Sequence, residues 1–546
     1  MLCFTGVKKL MRIRTLAIMA ASLAICLSAS AQANNSNFDG HSWWDHIKVL
    51  ADDNMDGRDT GSPGLKKAEA YVVDYLKKNG IQPAGAKGFY QPIQFVSRQL
   101  DESKSSLSLV RDGKEEKLVL GDDAILSTRV DPAPKIDAGL VFAGYGLRIP
   151  ESNIDDFAGL DTKGKILVVF SGSPAELSAA LSAHYQSTAQ RAKVMQETGA
   201  IGYLIIPNPA AMDIPWERIK TSRLHPSMGY AETSLNETGP AQIGIYFNPA
   251  SAEKLFEGSG HRFDEIAALG KDRKPLPHFP LNLSLRATQA VIRKQLESSN
   301  VIGKLIGSDP KLKDEYVVLS AHIDHLGIGE PINGDRIYNG AMDNGSGSAL
   351  LLDMASTLPK LRPKRSVLFV FVTGEEKGLL GSHYFALHPT VPVKSMVADI
   401  NTDMFLPIYP LKLLTVYGLA ESDLGDDVEQ VAKQDGVTVQ PDQEPQRNLF
   451  IRSDQYSFIR DGIPSLAMKV GFEKGSPEEK INQQWLHDRY HAPCDDLNQP
   501  VDLAAAGKYE DIIRDLTIKI ADDPQRPEWK QDSFFRRFAA EQNQGK

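Results

Sequence analysis

Five residues able to hold a metal ion, His322, Asp343, Glu376, Asp403 and His491, follow one another along this chain, four of them at or just past the end of an apolar run. Residues so far apart in sequence meet only if those runs become neighbouring strands with their carboxyl ends on one edge, where open α/β sheets gather their ligands. In EYVVLSAHIDHLG, Tyr316 to Leu319 reads as a buried strand with His322 and Asp324 just beyond it. In SVLFVFVTGEEKGLLGS, Val367 to Val372 reads as a strand that delivers Glu375 and Glu376. YNGAMDNGSG is a turn-rich loop carrying Asp343 ahead of a helical run from Ser348 to Leu358, while MVADINTDMF carries Asp403 and DRYHAPCDD carries His491. The pattern predicts an α/β fold, a mixed, mainly parallel sheet flanked by helices.

The residue types point to zinc. Zinc takes imidazole nitrogen and carboxylate oxygen, and a catalytic ion keeps one position open. Two such ions roughly 3.5 to 4 Å apart clamp the attacking and developing oxygens of a hydrolysis. Two histidines and three carboxylates serve two Zn²⁺ ions if one carboxylate bridges, and Asp343 is the natural bridge. Neighbouring residues in a turn point in different directions, so Glu376 is assigned to the metal and Glu375 to general base catalysis. Asp324, two residues after His322, is placed to accept that imidazole's other N–H. Singly, each piece has an ordinary reading as a structural histidine, a solvated acid pair or a turn and N-cap aspartate. The inference rests on their conjunction.

Taken together, AHIDHLG, IYNGAMDNGSG, TGEEKGLLGS, INTDM, SDQYSF and YHAPCDD resemble the co-catalytic di-zinc aminopeptidase family, in the superfamily of glutamate carboxypeptidase II and the transferrin receptor ectodomain. The resemblance implies metal ligation by His322, Asp343, Glu376, Asp403 and His491 with Asp343 bridging, Glu375 as base, Asp324 behind His322, and a cis peptide from Asp343 to Asn344. One departure is Met342, which stands where close relatives carry an acid. Some relatives place an oxyanion-stabilising tyrosine near the SD motif; here Gln455 follows Asp454 and Tyr456 comes next, a candidate oxyanion or substrate contact with a structural role as the alternative.

The resemblance extends to residues 50 to 85, whose spacing predicts an amphipathic helix from about Gly64 to Asn79 closed by Gly80. LVFAGYGLRIPESNIDDFAGLDTKGKILVVFSGSP and TGAIGYLIIPNP resemble a protease-associated (PA) domain rich in β-structure. The expected organisation is a signal peptide at 1–31, a catalytic domain from 40–131 and 289–520, an inserted protease-associated domain at 132–288, and an extension at 521–546. That extension is either a helix packing Phe534, Phe535 and Phe538 onto the catalytic domain or a partly free tail.

A chain of 546 residues exceeds one ordinary core and suggests two or three domains. Its net charge of -9, with no basic patch, argues against a nucleic-acid partner. Lys8, Lys9, Arg12 and Arg14 precede an apolar run from Leu16 to Leu27 and then SASAQA. This reads as a secretory leader, too short for a membrane span, with Met11 as an alternative start. The mature chain is therefore expected to be periplasmic or secreted and without an integral membrane segment; Ile25 ahead of Cys26 is too large for the usual lipobox, which disfavours a lipoprotein. Cys494 is the only cysteine beyond the leader, so no internal disulfide forms and export rests on size for stability. His325, His383 and His487 are expected to line or buttress the pocket or to face solvent.

The expected activity is removal of N-terminal residues from peptide substrates. Other readings of the same residues are a di-zinc carboxypeptidase or amidohydrolase, a single-zinc glutaminyl cyclase, and a non-catalytic receptor-like protein. No motif codes for side-chain preference or oligomeric state.

Overall fold

A strand covered on both faces reads as an unbroken apolar run, and all seven residues of Ser366–Val372 are buried. In the computed structural model, which describes residues 38–543 apart from 213 and 448, this run lies at the centre of a ten-stranded mixed sheet. The leader expected at 1–31 lies outside the described residues.

The strands used below are β1 (Tyr90–Leu100), β2 (Ser227–Tyr230), β3 (Val291–Leu305), β4 (Tyr316–His322), β5 (Ser366–Val372), β6 (Met396–Asn401), β7 (Leu413–Tyr417), β8 (Thr438–Pro441) and β9 (Ser465–Gly471). They lie in the order β2-β1-β3-β5-β4-β6-β9-β7-β8, with Gln82–Pro83 paired to β3 as well. The four central strands β5, β4, β6 and β9 are parallel, and β3 and β7 flank them antiparallel. This is an α/β fold with a parallel centre. β4 extends past Leu319 to His322, so the first metal-type residue ends the strand itself.

Helices cover the sheet. They include α1 (His41–Leu50), α2 (Pro63–Lys78), α3 (Ser346–Leu361), α4 (Leu380–Leu387) and α5 (Leu503–Asp522). Proline in the first turn of α2 and the Ser62 side chain, which accepts from Leu65 N–H at 3.1 Å, fix its start. It runs to Lys78, one residue short of the sequence expectation, and Gly80 beyond it takes a left-handed φ of 75°. α3 starts two residues before Ser348, and every residue from Ser346 to Ala355 is buried, so it is a core helix under the sheet's carboxyl edge.

A second sheet of eight strands runs in the order 114–118, 106–111, 278–288, 135–143, 166–170, 202–206, 243–247, 124–127. Its core includes Phe142, Phe170, Phe247 and Phe256, all fully buried. Three of these strands, within 106–127, precede the boundary that the sequence sets at 131/132. In the other direction, β2 comes from inside 132–288 yet pairs antiparallel with β1 on the catalytic sheet. The two sheets therefore exchange chain in both directions.

In the tail, Phe535 is fully buried against Phe450 and Trp529, with Phe534 and Phe538 packed beside it. Phe534 and Phe538 also meet His184, from the segment 132–288, so the tail touches both parts of the chain. Cys494 is free and exposed. Among the described residues no helix is long and apolar enough to cross a membrane.

Candidate metal centre

Parallel neighbours deliver the site. His322 ends β4, Glu375 and Glu376 follow β5, and Asp403 follows β6, while Asp343 precedes α3 and His491 comes from the loop before α5. His322 Nε2 stands 3.4 Å from Asp343 Oδ1 and 3.6 Å from Asp403 Oδ1. His491 Nε2 stands 3.2 Å from Asp343 Oδ2 and 3.3 Å from Glu376 Oε2. The two oxygens of Asp343 thus face two different imidazoles.

These spacings carry chemical information. Donors each bound near 2.05 Å to one tetrahedral zinc lie about 3.3 Å apart. The four contacts above fit that separation. Glu375 Oε2 is 4.0 Å from His322 Nε2, too far for comfortable sharing of an ion, and His325 Nδ1 is 2.7 Å from Glu376 Oε1, too close. His322 Nε2, Glu376 Oε1 and Asp403 Oδ1 are buried without a hydrogen-bond partner, the condition of atoms that need a cation. The cluster therefore suits a divalent metal, with His322, Glu375 and Asp403 gathered on one side and His325, Asp343 and Glu376 on the other.

The adjacent glutamates are driven apart electrostatically. Burial, Glu376, Asp454 and Asp403 push Glu375 well above the ordinary carboxylate range, against His322. Burial also acts on Glu376, but His491 and His325 outweigh it and hold Glu376 well below that range. Burial and Glu376 likewise raise Asp343 less than His322 and His491 lower it. Opposed neighbours of this kind are how a site separates a proton carrier from a permanent anion.

Two sequence assignments are corrected. His322 Nδ1 meets the main-chain oxygen of Asp324 at 3.1 Å; the carboxylate does not reach it. The Asp324 side chain instead accepts from Thr60 Oγ1 at 2.9 Å and from Glu375 N–H at 3.2 Å, because the chain turns after β4 and sends that carboxylate toward the β5 loop. Tyr456 is no oxyanion contact. It is buried, and its hydroxyl lies 2.9 Å from His184 Nδ1 in an aromatic cluster with Phe534 and Phe538.

Asp343 and Asn344 are joined by a cis peptide. In the segment from 50 to 85, Arg58 is 1 % exposed and donates to the main-chain oxygens of Leu50, Ile323, Asn339 and Gly340. Asp495, the first acid of CDD, receives the N–H groups of Met342 and Asp343, each at 3.0 Å. Met342 thus serves this loop through its main chain.

Residues 300–517 match the description of peptidase family M28. Similar curated proteins are aminopeptidase Y of Saccharomyces cerevisiae, 28% identical over 212 residues, 37% of this chain and 35% of that protein, and an aminopeptidase of Pseudomonas aeruginosa, 28% identical over 230 residues, 40% of each. The match spans well under half the length of these relatives. A solved aminopeptidase from Aneurinibacillus sp. strain AM-1 shares the fold, with a TM-score of 0.54, 20% identity, and coverage of 90% of this chain and 96% of that one.

His325 is the imidazole to which the sequence gives no definite place. It is fully buried, 2.7 Å from Glu376 without hydrogen-bond alignment, and its N–H main chain donates to Arg58 O. The only sequence signal for it is the DH pair in AHIDHLG.

Proposed function

We propose that this chain is an exported di-zinc aminopeptidase that removes N-terminal residues from peptides. The observation that carries the reading is Asp343, whose two oxygens face His322 and His491 separately at 3.4 and 3.2 Å. His322, Asp403 and Asp343 Oδ1 would hold one ion, and His491, Glu376 and Asp343 Oδ2 the other. Zinc, when bound, supplies Lewis acidity toward the scissile carbonyl and lowers the pKa of water.

The chain's own groups do the rest. Glu375, outside both donor sets and raised in pKa, takes a proton from the attacking water and returns it to the leaving amine. Asp324 anchors the Glu375 main chain, and its carbonyl fixes the ring of His322. The leader-like sequence at 1–31 supports export, the β-rich segment at 132–288 is read as a protease-associated insert, and the similarity to aminopeptidases supports that activity.

The test is a panel of aminoacyl-anilides and N-blocked peptides on purified protein, with chelator and zinc restoration and with metal content measured. Cleavage of free-amine anilides, lost on chelation and restored with two zincs per chain, is expected. Cleavage of N-blocked peptides alone, or full activity without metal, would overturn it.

A further inference from the structure

A hollow of roughly 430 Å³ counting the open solvent at its mouth, about 30 Å³ of it open to the centre of a water-sized guest, lies beside the loop that follows Asp403, with Leu406, Leu449 and Val470 among its walls and Lys469 in its lining. Its place follows from the sheet register. β6 and β9 pair in parallel with Asn401 opposite Ala467, so two residues further on the chain carries Asp403 on one side and Lys469 on the other. Val470 N–H donates to Phe405 O at 2.9 Å, which keeps the loop against β9.

Lys469 is half-buried, and its ammonium makes no hydrogen bond or ion pair with any described residue. The acids of the same cavity are already engaged. Glu444 pairs with Arg447 at 2.6 Å, and Asp442 Oδ1 accepts from Glu444 N–H at 2.8 Å in a turn. Asp403 is the leading anion acting on Lys469, but an Asp403 that holds a metal ion has its charge already compensated. An ammonium left without a counter-charge in a partly apolar hollow is costly, and a carboxylate entering the hollow removes that cost.

We propose that Lys469 receives the side-chain carboxylate of the substrate's first residue, making this enzyme selective for peptides that begin with glutamate or aspartate. The inference rests on the aminopeptidase reading above. Apolar walls suit the methylene stem of such a side chain, and Lys469 suits its end. A neutral side chain leaves the ammonium unpaired, and a basic one adds like-charge repulsion, so both are disfavoured.

The experiment is kcat/KM of the zinc-loaded protein on Glu-, Asp-, Leu- and Lys-anilides and on N-blocked peptides with a free C-terminus, repeated with Lys469→Met and Lys469→Glu. A Glu or Asp preference of about 30-fold or more over Leu is expected, since removing one partner of a desolvated charge pair costs at least that factor. Lys469→Met should collapse the ratio, and Lys469→Glu should shift it toward Lys-anilide, with zinc content showing that each variant is folded. The wild-type panel decides the matter even if neither variant folds. Anilide cleavage with Leu or Lys preferred overturns this inference and leaves the aminopeptidase reading standing. Consumption of the N-blocked peptides alone means that Lys469 reads a terminal carboxylate, and both fall.

Discussion

Arg218 donates to the main-chain oxygen of Tyr490 at 3.0 Å, one residue before His491. Arg129 does the same for the oxygen of Glu376, at 3.1 Å. Both arginines lie between β1 and β3, in the part of the chain that builds the second sheet, and both steady a loop whose side chain faces Asp343 Oδ2 or its partner ligand. Groups behind a ligand typically govern 10 to 100-fold in metal affinity. The double variant Arg129→Ala/Arg218→Ala should release one zinc at about 10-fold lower chelator concentration while the ion at His322 persists. Metal release indistinguishable from wild type would show that the second sheet is a bystander. For the same reason, excision of 132–288 should weaken metal retention as well as remove β2.

The neighbouring glutamates give the sharpest contrast. Glu375→Gln should keep both metals, because its nearest donor contact is 4.0 Å away, yet lose about 10²- to 10⁴-fold in kcat with the base gone. Glu376→Gln should lose a metal, since an amide is a poor zinc ligand. Zinc stoichiometry beside turnover checks both, and depletion of metal in the Glu375 variant would reverse the two roles.

Histidines 325 and 491 both approach Glu376, and the spacing argument separates them. His491→Ala should bind one zinc fewer, whereas His325→Ala should retain two with affinity lowered about 10-fold, as for a group that orients a ligand. Two zincs in His491→Ala, measured by elemental analysis, would make His325 the ligand.

Asp324→Asn should leave the His322 ring in place, because the main-chain oxygen survives the change. Its cost falls instead on the Glu375 loop, whose N–H the carboxylate accepts. A fall in kcat of about 10-fold with zinc content unchanged is expected; loss of the His322 ion would restore the carboxylate to the role the sequence assigned it.

Glu69 on α2 is 5 % exposed, and burial raises its pKa to about 7. The folded state therefore holds this proton more tightly than the unfolded chain does. Its contribution is fully present below the ordinary value of 4.5 and is lost as pH rises through about 7. The whole shift corresponds to about 3 kcal/mol. Glu69→Gln should flatten that part of the profile and raise stability at pH 8 by about 2 kcal/mol in urea unfolding. An unchanged slope between pH 5 and 7 would show that Glu69 ionises without penalty.

The central strands β4 and β5, the two helices α2 and α3, and the identity of the clustered donors were legible in the chain itself. Apolar runs such as VLFVF and donor residues placed at their ends are local patterns, and a parallel sheet turns them into one edge. The sequence could not decide which atom of Asp324 meets His322, since a carboxylate and a carbonyl two residues on are equally near along the chain. Nor could it separate Tyr456 from the site, because only packing against His184 and Phe534 withdraws that ring. Arg58, Arg129, Arg218 and Asp495 went unread for a common reason: they bond to main-chain atoms, which every residue possesses. The sequence by itself determined which side chains can bind metal and in what order they arrive, and only the tertiary structure decided how they are held, because the holding is done largely by backbone groups that carry no mark in the sequence.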